Sequence, residues 1–124
     1  MAFVTSRERA FQAGADETAS QYLIVKLNSS GQYILSSAAT DKHIGIAMEA
    51  PGSLDYGGVA LFNAEGTLNV YAGGTIAIGD FLTANSSGQA VTTTTGGDQV
   101  IGQAIKAAVT GDLVEFIPFR IKYA

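Results

Sequence analysis

Asn28 to Ala50 reads NSSGQYILSSAATDKHIGIAMEA, and Asn85 to Ala107 reads NSSGQAVTTTTGGDQVIGQAIKA. The two stretches align without a gap at a separation of 57 residues, and 10 of the 23 positions are identical. The identities are the five of NSSGQ, then Asp41/Asp98, Ile44/Ile101, Gly45/Gly102, Ala47/Ala104 and Ala50/Ala107. Upstream, YLIVKL lies over GDFLTA. Downstream, GGVALF (57–62) lies over GDLVEF (111–116) after a three-residue difference. Such a match predicts a structural duplication of a strand–turn–strand unit. Asn and Gly tolerate positive φ and Ser bonds local backbone, so NSSG closes a hairpin. Asn28, Gly31, Asn85 and Gly88 are therefore read as turn residues. Gly45 and Gly102 each follow Ile inside an apolar strand. There a glycine marks a bulge, a corner or the close approach of a neighbouring backbone, and both are read as corners of a small barrel.

Outward from the repeat, short β-branched and aromatic runs recur about every ten residues with Gly, Asn or Asp between them. They cover 21–27, 32–36, 43–48, 58–62, 67–72, 80–84, 89–93, 99–107 and 113–123. Pro118 cannot donate to a ladder, which places that point at a sheet edge or bend. The predicted class is all-β: a small barrel or sandwich of short antiparallel strands with an internal two-fold-like duplication. Residues 1–20 are polar and weakly periodic and read as an extended N-terminal arm. Residues 21–124 form a single β domain with repeat halves at about 21–62 and 78–116, and Gly66 to Ile78 connects or caps the halves.

Composition limits the function. The chain has 124 residues and no cysteine, which removes disulfides and thiolate chemistry and fits assembly in a reducing compartment. No apolar run approaches the length of a membrane span and no signal-type h-region is present, so a soluble, unexported chain is expected. The net charge is −4: the first nine residues carry +1, the last nine +2, and the remainder −7. An acidic body offers no phosphate-tracking stripe, which argues against nucleic-acid binding. The single His43 lies in a predicted strand with no nucleophile motif around it, and a strand-end or surface role is expected. The carboxylates are dispersed without metal-ligand spacing. Asp41 and Asp98 occupy equivalent repeat positions, as turn caps do. No catalytic residue, metal ligand or cofactor site is expected, and the chain reads as no enzyme.

Beyond the repeat, the order AFQAGADETASQYLIVKLNSSGQ, IGIAMEAP, VYAGGTIAIGDFLTANSSGQAV and VIGQAIKAAVTGDLVEFIPF resembles bacteriophage capsid cement (head decoration) proteins. The likeness runs over about residues 10–118, through Gly14–Asp16, Gly31, Ile44–Ala47, Gly73–Ala90 and Ile101–Phe116. It implies a small β-rich structural protein, commonly a homotrimer, that sits on the outer surface of the assembled virion capsid. Its partner would be the major capsid protein, and its place of synthesis the host cytoplasm. The resemblance implies no cofactor and no catalysis. The basic ending FRIKYA departs from the family pattern. For capsid contact, the expected residues are those of the arm, Phe3, Val4, Arg7, Arg9 and Phe11, with Phe3 and Phe11 as apolar anchors. A tail-fibre or adhesion module that binds a host glycan or protein is the alternative; it calls for an exposed groove built from Tyr22, Tyr33, Tyr56 and Tyr71. A small hydrolase is a second rival, for which the residues supply no acid–base set.

Overall fold

The computed structural model describes residues 8–62 and 66–124, and every regular element among them is a strand. The first five are β1 (Glu8–Gln12), β2 (Ile24–Leu27), β3 (Tyr33–Leu35), β4 (His43–Ala47) and β5 (Tyr56–Leu61). They form one antiparallel sheet in the order β1-β5-β4-β2-β3. The next five are β6 (Leu68–Tyr71), β7 (Phe81–Ala84), β8 (Ala90–Thr92), β9 (Gln99–Ala104) and β10 (Leu113–Lys122), in the order β6-β10-β9-β7-β8. These are the same topology written twice, so the duplication read from NSSGQ extends to every strand.

Each sheet curls on itself. Ala13 pairs with Tyr33, and Ala72 with Ala90, in isolated parallel bridges that join the end of the first strand to the last strand of the sheet. Gly14 N–H donates to the Tyr33 carbonyl at 2.9 Å and Gly73 N–H to the Ala90 carbonyl at 2.8 Å. The result is two partly closed five-stranded lobes, in line with the expected barrel or sandwich of short strands.

Three boundaries drawn from sequence differ from the structure. From Glu8 onward the expected arm belongs to the first lobe: β1 pairs with β5 from Glu8↔Ala60 to Gln12↔Tyr56. Polar residues on a one-sided edge strand hid this, because only Phe11 and Ala13 face the core. Likewise the stretch 66–78, expected to connect the halves, contains β6, the counterpart of β1. The three-residue difference assigned to the last strand of each half is also absent. Ala47 faces Val59 and Ala104 faces Phe116, so the 57-residue separation holds throughout β5 and β10. The shifted alignment arose from matching Phe62 to Phe116, two large apolar residues that occupy different places in the sheet.

The repeated turns are the same object. Asn28 Oδ1 accepts from the N–H groups of Ser30 (2.9 Å) and Gln32 (3.0 Å), and its Nδ2 donates to Gln32 Oε1 (3.1 Å). Asn85 makes the identical set with Ser87 (2.9 Å), Gln89 N–H (3.0 Å) and Gln89 Oε1 (3.1 Å). Gly31 and Gly88 close these turns at φ 76° and 74°, in the left-handed region that glycine enters without steric penalty. The Asn side chain thus replaces the backbone partners that the turn removes.

Gly45 and Gly102 lie at the two ladder irregularities next to β4 and β9: the β2–β4 register shifts between Val25 and Lys26, and the β9–β10 register between Pro118 and Ile121. A Cβ on Gly45 would fall against the Ala60 carbonyl oxygen, and one on Gly102 against the Ile117 carbonyl oxygen. Both glycines therefore admit a neighbouring backbone at a bulge, a sharper role than the corner read from sequence. Pro118 faces Gly102 of β9 just past the last residue at which β10 pairs with β6, so its missing N–H leaves no gap there.

The two lobes share apolar packing. The second lobe's interior, including Val70, Leu82, Ile101 and Phe116, is continuous with Ile24, Ile46, Ala60 and Phe62 on one face of the first sheet. Phe62 meets Phe116 edge-on, with centroids 6.2 Å apart. The opposite face of the first sheet buries Phe11, Ala13, Val25, Tyr33, Ala47 and Val59 inside its own lobe. We expect Gly45→Ala and Gly102→Ala each to destabilise the fold by about 2 kcal/mol, because backbone rather than a flexible side chain must yield. Gly31→Ala, in open space, should lose only about 1 kcal/mol through its positive φ. Urea unfolding midpoints at constant m-value measure all three.

Candidate protein-binding groove

One difference between matched positions of the two lobes leaves an opening on the surface. Phe11, Leu27, Ile44 and Leu61 line a groove on the first lobe. The counterparts of Phe11, Leu27 and Ile44 in the second, Val70, Ala84 and Ile101, are sealed in the shared core, and that of Leu61 is the half-buried Pro118. Alternation along β2 turns Val25 and Leu27 to the same side of the sheet; Val25 is fully buried there, whereas Leu27 remains 39% exposed. The groove has a volume of about 210 Å³, and Phe62, Arg9 and Arg120 complete its lining.

Two guanidinium groups flank this apolar floor. Arg9 on β1 stands 4.6 Å over the Phe11 ring, a cation–π contact. Arg120 on β10 donates from Nη1 to the His43 carbonyl at 3.3 Å. Among the described residues the ion pairs are Lys26–Asp41 and Lys106–Glu115, so neither arginine faces a carboxylate. Their placement follows from the chain ends. Arg9 is carried by β1, and Arg120 by the last turn of ladder in which Ile121 faces Val100 and Lys122 faces Gln99. Phe119 and Tyr123, on either side of Arg120, pack edge-on against Phe81 with centroids 6.0 and 6.3 Å away. The ending FRIKYA is thus part of the second sheet, and it brings its arginine to the lobe built by the N-terminus. An apolar trough flanked by two guanidinium groups that meet no carboxylate among the described residues suits a protein segment that combines a carboxylate with apolar side chains.

Of the residues expected to contact a capsid, Phe3, Val4 and Arg7 lie outside the described residues. Arg9 lines the groove. Phe11 lines it as well, but its ring is 9% exposed and belongs to the first lobe's core, which makes it a floor and not a projecting anchor. Arg120 was the residue that sequence reasoning left unplaced; the basic C-terminus was its only signal.

The polar residues weighed for chemistry are dispersed by the fold. Asp41 Oδ2 accepts from Lys26 Nζ (2.9 Å) and from the N–H groups of Ser37 (2.9 Å) and Ala38 (3.1 Å). Burial opposes its ionisation, but the Lys26 bond and the two N–H groups outweigh this and hold the carboxyl below its ordinary range. Asp98 accepts instead from Thr93 Oγ1 at 2.5 Å. Each aspartate caps its own turn. His43 opens β4 as a buried residue, bonded to Ser36 Oγ through Nδ1 at 2.7 Å. Among the described residues no three His, Cys, Asp or Glu side chains gather as metal ligands would. The four tyrosines do not make one groove: Tyr33 is fully buried, Tyr22 and Tyr71 meet edge-on with centroids 6.1 Å apart, and Tyr56 is exposed.

With this geometry in hand, one solved structure is informative. The fold matches the head fiber gp8.5 N base in bacteriophage phi29. The TM-score is 0.68, the match covers 94% of this chain and 98% of that one, and 24% of residues are identical. At that identity the likeness is one of fold. No protein-family description matches the chain, and no curated protein does.

His43 supplies a pH test. Burial disfavours its charged form and outweighs the nearby carboxylates of Asp41 and Asp98, so its pKa lies below the ordinary 6.5. The unfolded chain takes up a proton near pH 6.5 that the folded chain refuses, and stability must fall as pH drops below that value. The slope from this residue reaches at most about 1.4 kcal/mol per pH unit. In His43→Val, which installs the side chain found at the equivalent Val100, we expect the slope between pH 6.5 and 5.5 to flatten in urea titrations.

Proposed function

We propose that this chain is a structural protein of a bacteriophage head. On this reading it binds the outer surface of the assembled capsid as a homotrimer, contacts the major capsid protein and steadies the joints between its subunits, and it carries no catalytic activity. The observation that carries the reading is the match along nearly the whole chain to the head fiber base. The resemblance of the motif order to capsid cement proteins, found independently in the sequence, supports it. Synthesis would take place in the host cytoplasm before attachment to the virion.

The physical logic is that of many weak contacts. A trimer on a lattice site of matching symmetry engages three identical surfaces, and each contact can be modest because the second and third are made at high effective concentration. The groove between Arg9 and Arg120 is the surface we assign to the capsid. It presents apolar area for burial, and its two guanidinium groups set register and association rate through charge.

Titration of purified, undecorated capsid shells with the chain tests the proposal. Saturable binding at a fixed copy number per shell is expected, and Arg9→Ala with Arg120→Ala should weaken it by at least about tenfold while leaving the thermal midpoint nearly unchanged. A chain that ignores shells at any concentration contradicts the reading.

A further inference from the structure

The bonds that join the two lobes are not reciprocated by symmetry. Ile24 N–H of the first lobe donates to the Gly88 carbonyl in the second turn at 2.8 Å. That turn is set tightly against the end of the β2–β3 hairpin opposite its own turn. A Cβ on Gly88 would lie 3.1 Å from the Ile24 carbonyl oxygen and 3.2 Å from Leu35 Cδ2. The join is extended by Tyr71 N–H to the Tyr22 carbonyl (3.0 Å) and Gln99 N–H to the Ala39 carbonyl (2.8 Å). None of these bonds has its mirror image. Gly31, the counterpart of Gly88, is exposed with nothing within 4 Å of its Cβ position.

A contact in which a plug on one repeat enters a socket on the next leaves one plug and one socket unused at the ends. The unused plug is the first turn, Ser29–Gly31. In sequence and in internal hydrogen bonds it is the same object as the second turn, which is docked. The paired serines are shared by both turns, yet their hydroxyls make no bond in either turn among the described residues, so turn closure does not account for them. The unused socket is the equivalent end of the β7–β8 hairpin: Phe81, Thr92 and Thr93 stand where Ile24, Leu35 and Ser36 stand in the first lobe. Its frame matches, because Thr93 N–H donates to the Phe81 carbonyl at 2.9 Å as Ser36 N–H donates to the Ile24 carbonyl at 2.9 Å. Thr92 is exposed there.

We propose that a second copy of this chain is the occupant: the first turn of one copy docks on the Phe81–Thr92–Thr93 end of its neighbour, repeating between chains the contact that joins the lobes within one. Such an interface is heterologous, and it builds closed rings where the rotation allows. The inference draws on the duplication and not on capsid attachment, so the two can fail separately. It adds to the homotrimer reading a named surface on each partner.

The chain has no cysteine, which makes single-cysteine pairing unambiguous. The full-length variants Ser30→Cys and Thr92→Cys are mixed in equal amounts and oxidised, and the disulfide-linked species are identified by mass. Mixed Ser30–Thr92 dimers are expected to exceed like-with-like dimers by at least tenfold. In parallel, Ser30→Arg should lower the solution mass to that of a monomer, with the far-UV circular dichroism spectrum unchanged because Ser30 is exposed and gives its turn only a backbone N–H. Like-with-like disulfides in excess, a wild-type chain that stays monomeric at every concentration, or an undiminished mass in Ser30→Arg would each overturn the proposal. Shell binding, scored separately on the same samples, reports on capsid attachment alone.

Discussion

The first sheet has two apolar faces, and each belongs to a different core. One, with Phe11, Val25, Tyr33 and Val59, closes its own lobe. The other, with Ile24, Ile46, Ala60 and Phe62, is continuous with the interior of the second lobe. Strands buried on both sides read as near-continuous apolar runs, as YLIVKL and GVALF do. This double burial dictates the rest of the molecule. It fixes the order of the two lobes, seals the second against water, and leaves the first with an open groove. Duplicated sequences thereby acquire unequal surfaces without any change of topology.

The join also explains where strain is tolerated. Tyr22 and Leu54 hold positive φ angles of 63° and 66°, whereas the equivalent positions in the second lobe are Gly79 and Gly111, at 91° each. A bulky residue in that region stores on the order of 1–2 kcal/mol. For Tyr22 the compensation is visible: its carbonyl accepts from Tyr71 N–H, and its ring meets the Tyr71 ring edge-on across the join. Leu54 is held through its backbone: its N–H donates to the Ala13 carbonyl (3.0 Å) and its carbonyl accepts from Gln12 Nε2 (3.0 Å), while its side chain stays 59% exposed.

Much of the fold was legible because the local signals agreed. NSSG closes a hairpin whichever half it stands in, and nine of the ten strands were visible as β-branched or aromatic runs between turn words. The tenth, β1, was not, because an edge strand with one buried face carries few apolar residues: in ERAFQ only Phe11 stands out. The strand at 67–72 was legible, but with β1 hidden nothing marked LNVY as its counterpart, and 66–78 read as a connector. The groove was half legible. Charge asymmetry pointed to the two chain ends, but that Arg9 and Arg120 flank one groove with Leu27 and Leu61 depends on the end of β10, in the second sheet, lying beside His43 of the first, which no local pattern encodes. Nor could the direction of the join be read from sequence, because identical turns carry no sign of which one is docked.

The lobes form a single unit through a contact without a mirror image, and backbone amide hydrogen exchange tests this at the bonds concerned. The amides of Ile24, Tyr71 and Gln99 cross the join. If the account is right, they exchange as slowly as Leu82 at the centre of the second sheet, with the opening free energy of the whole molecule. Fast exchange at those three amides, with Leu82 still protected, would mean that the lobes part freely and would contradict it.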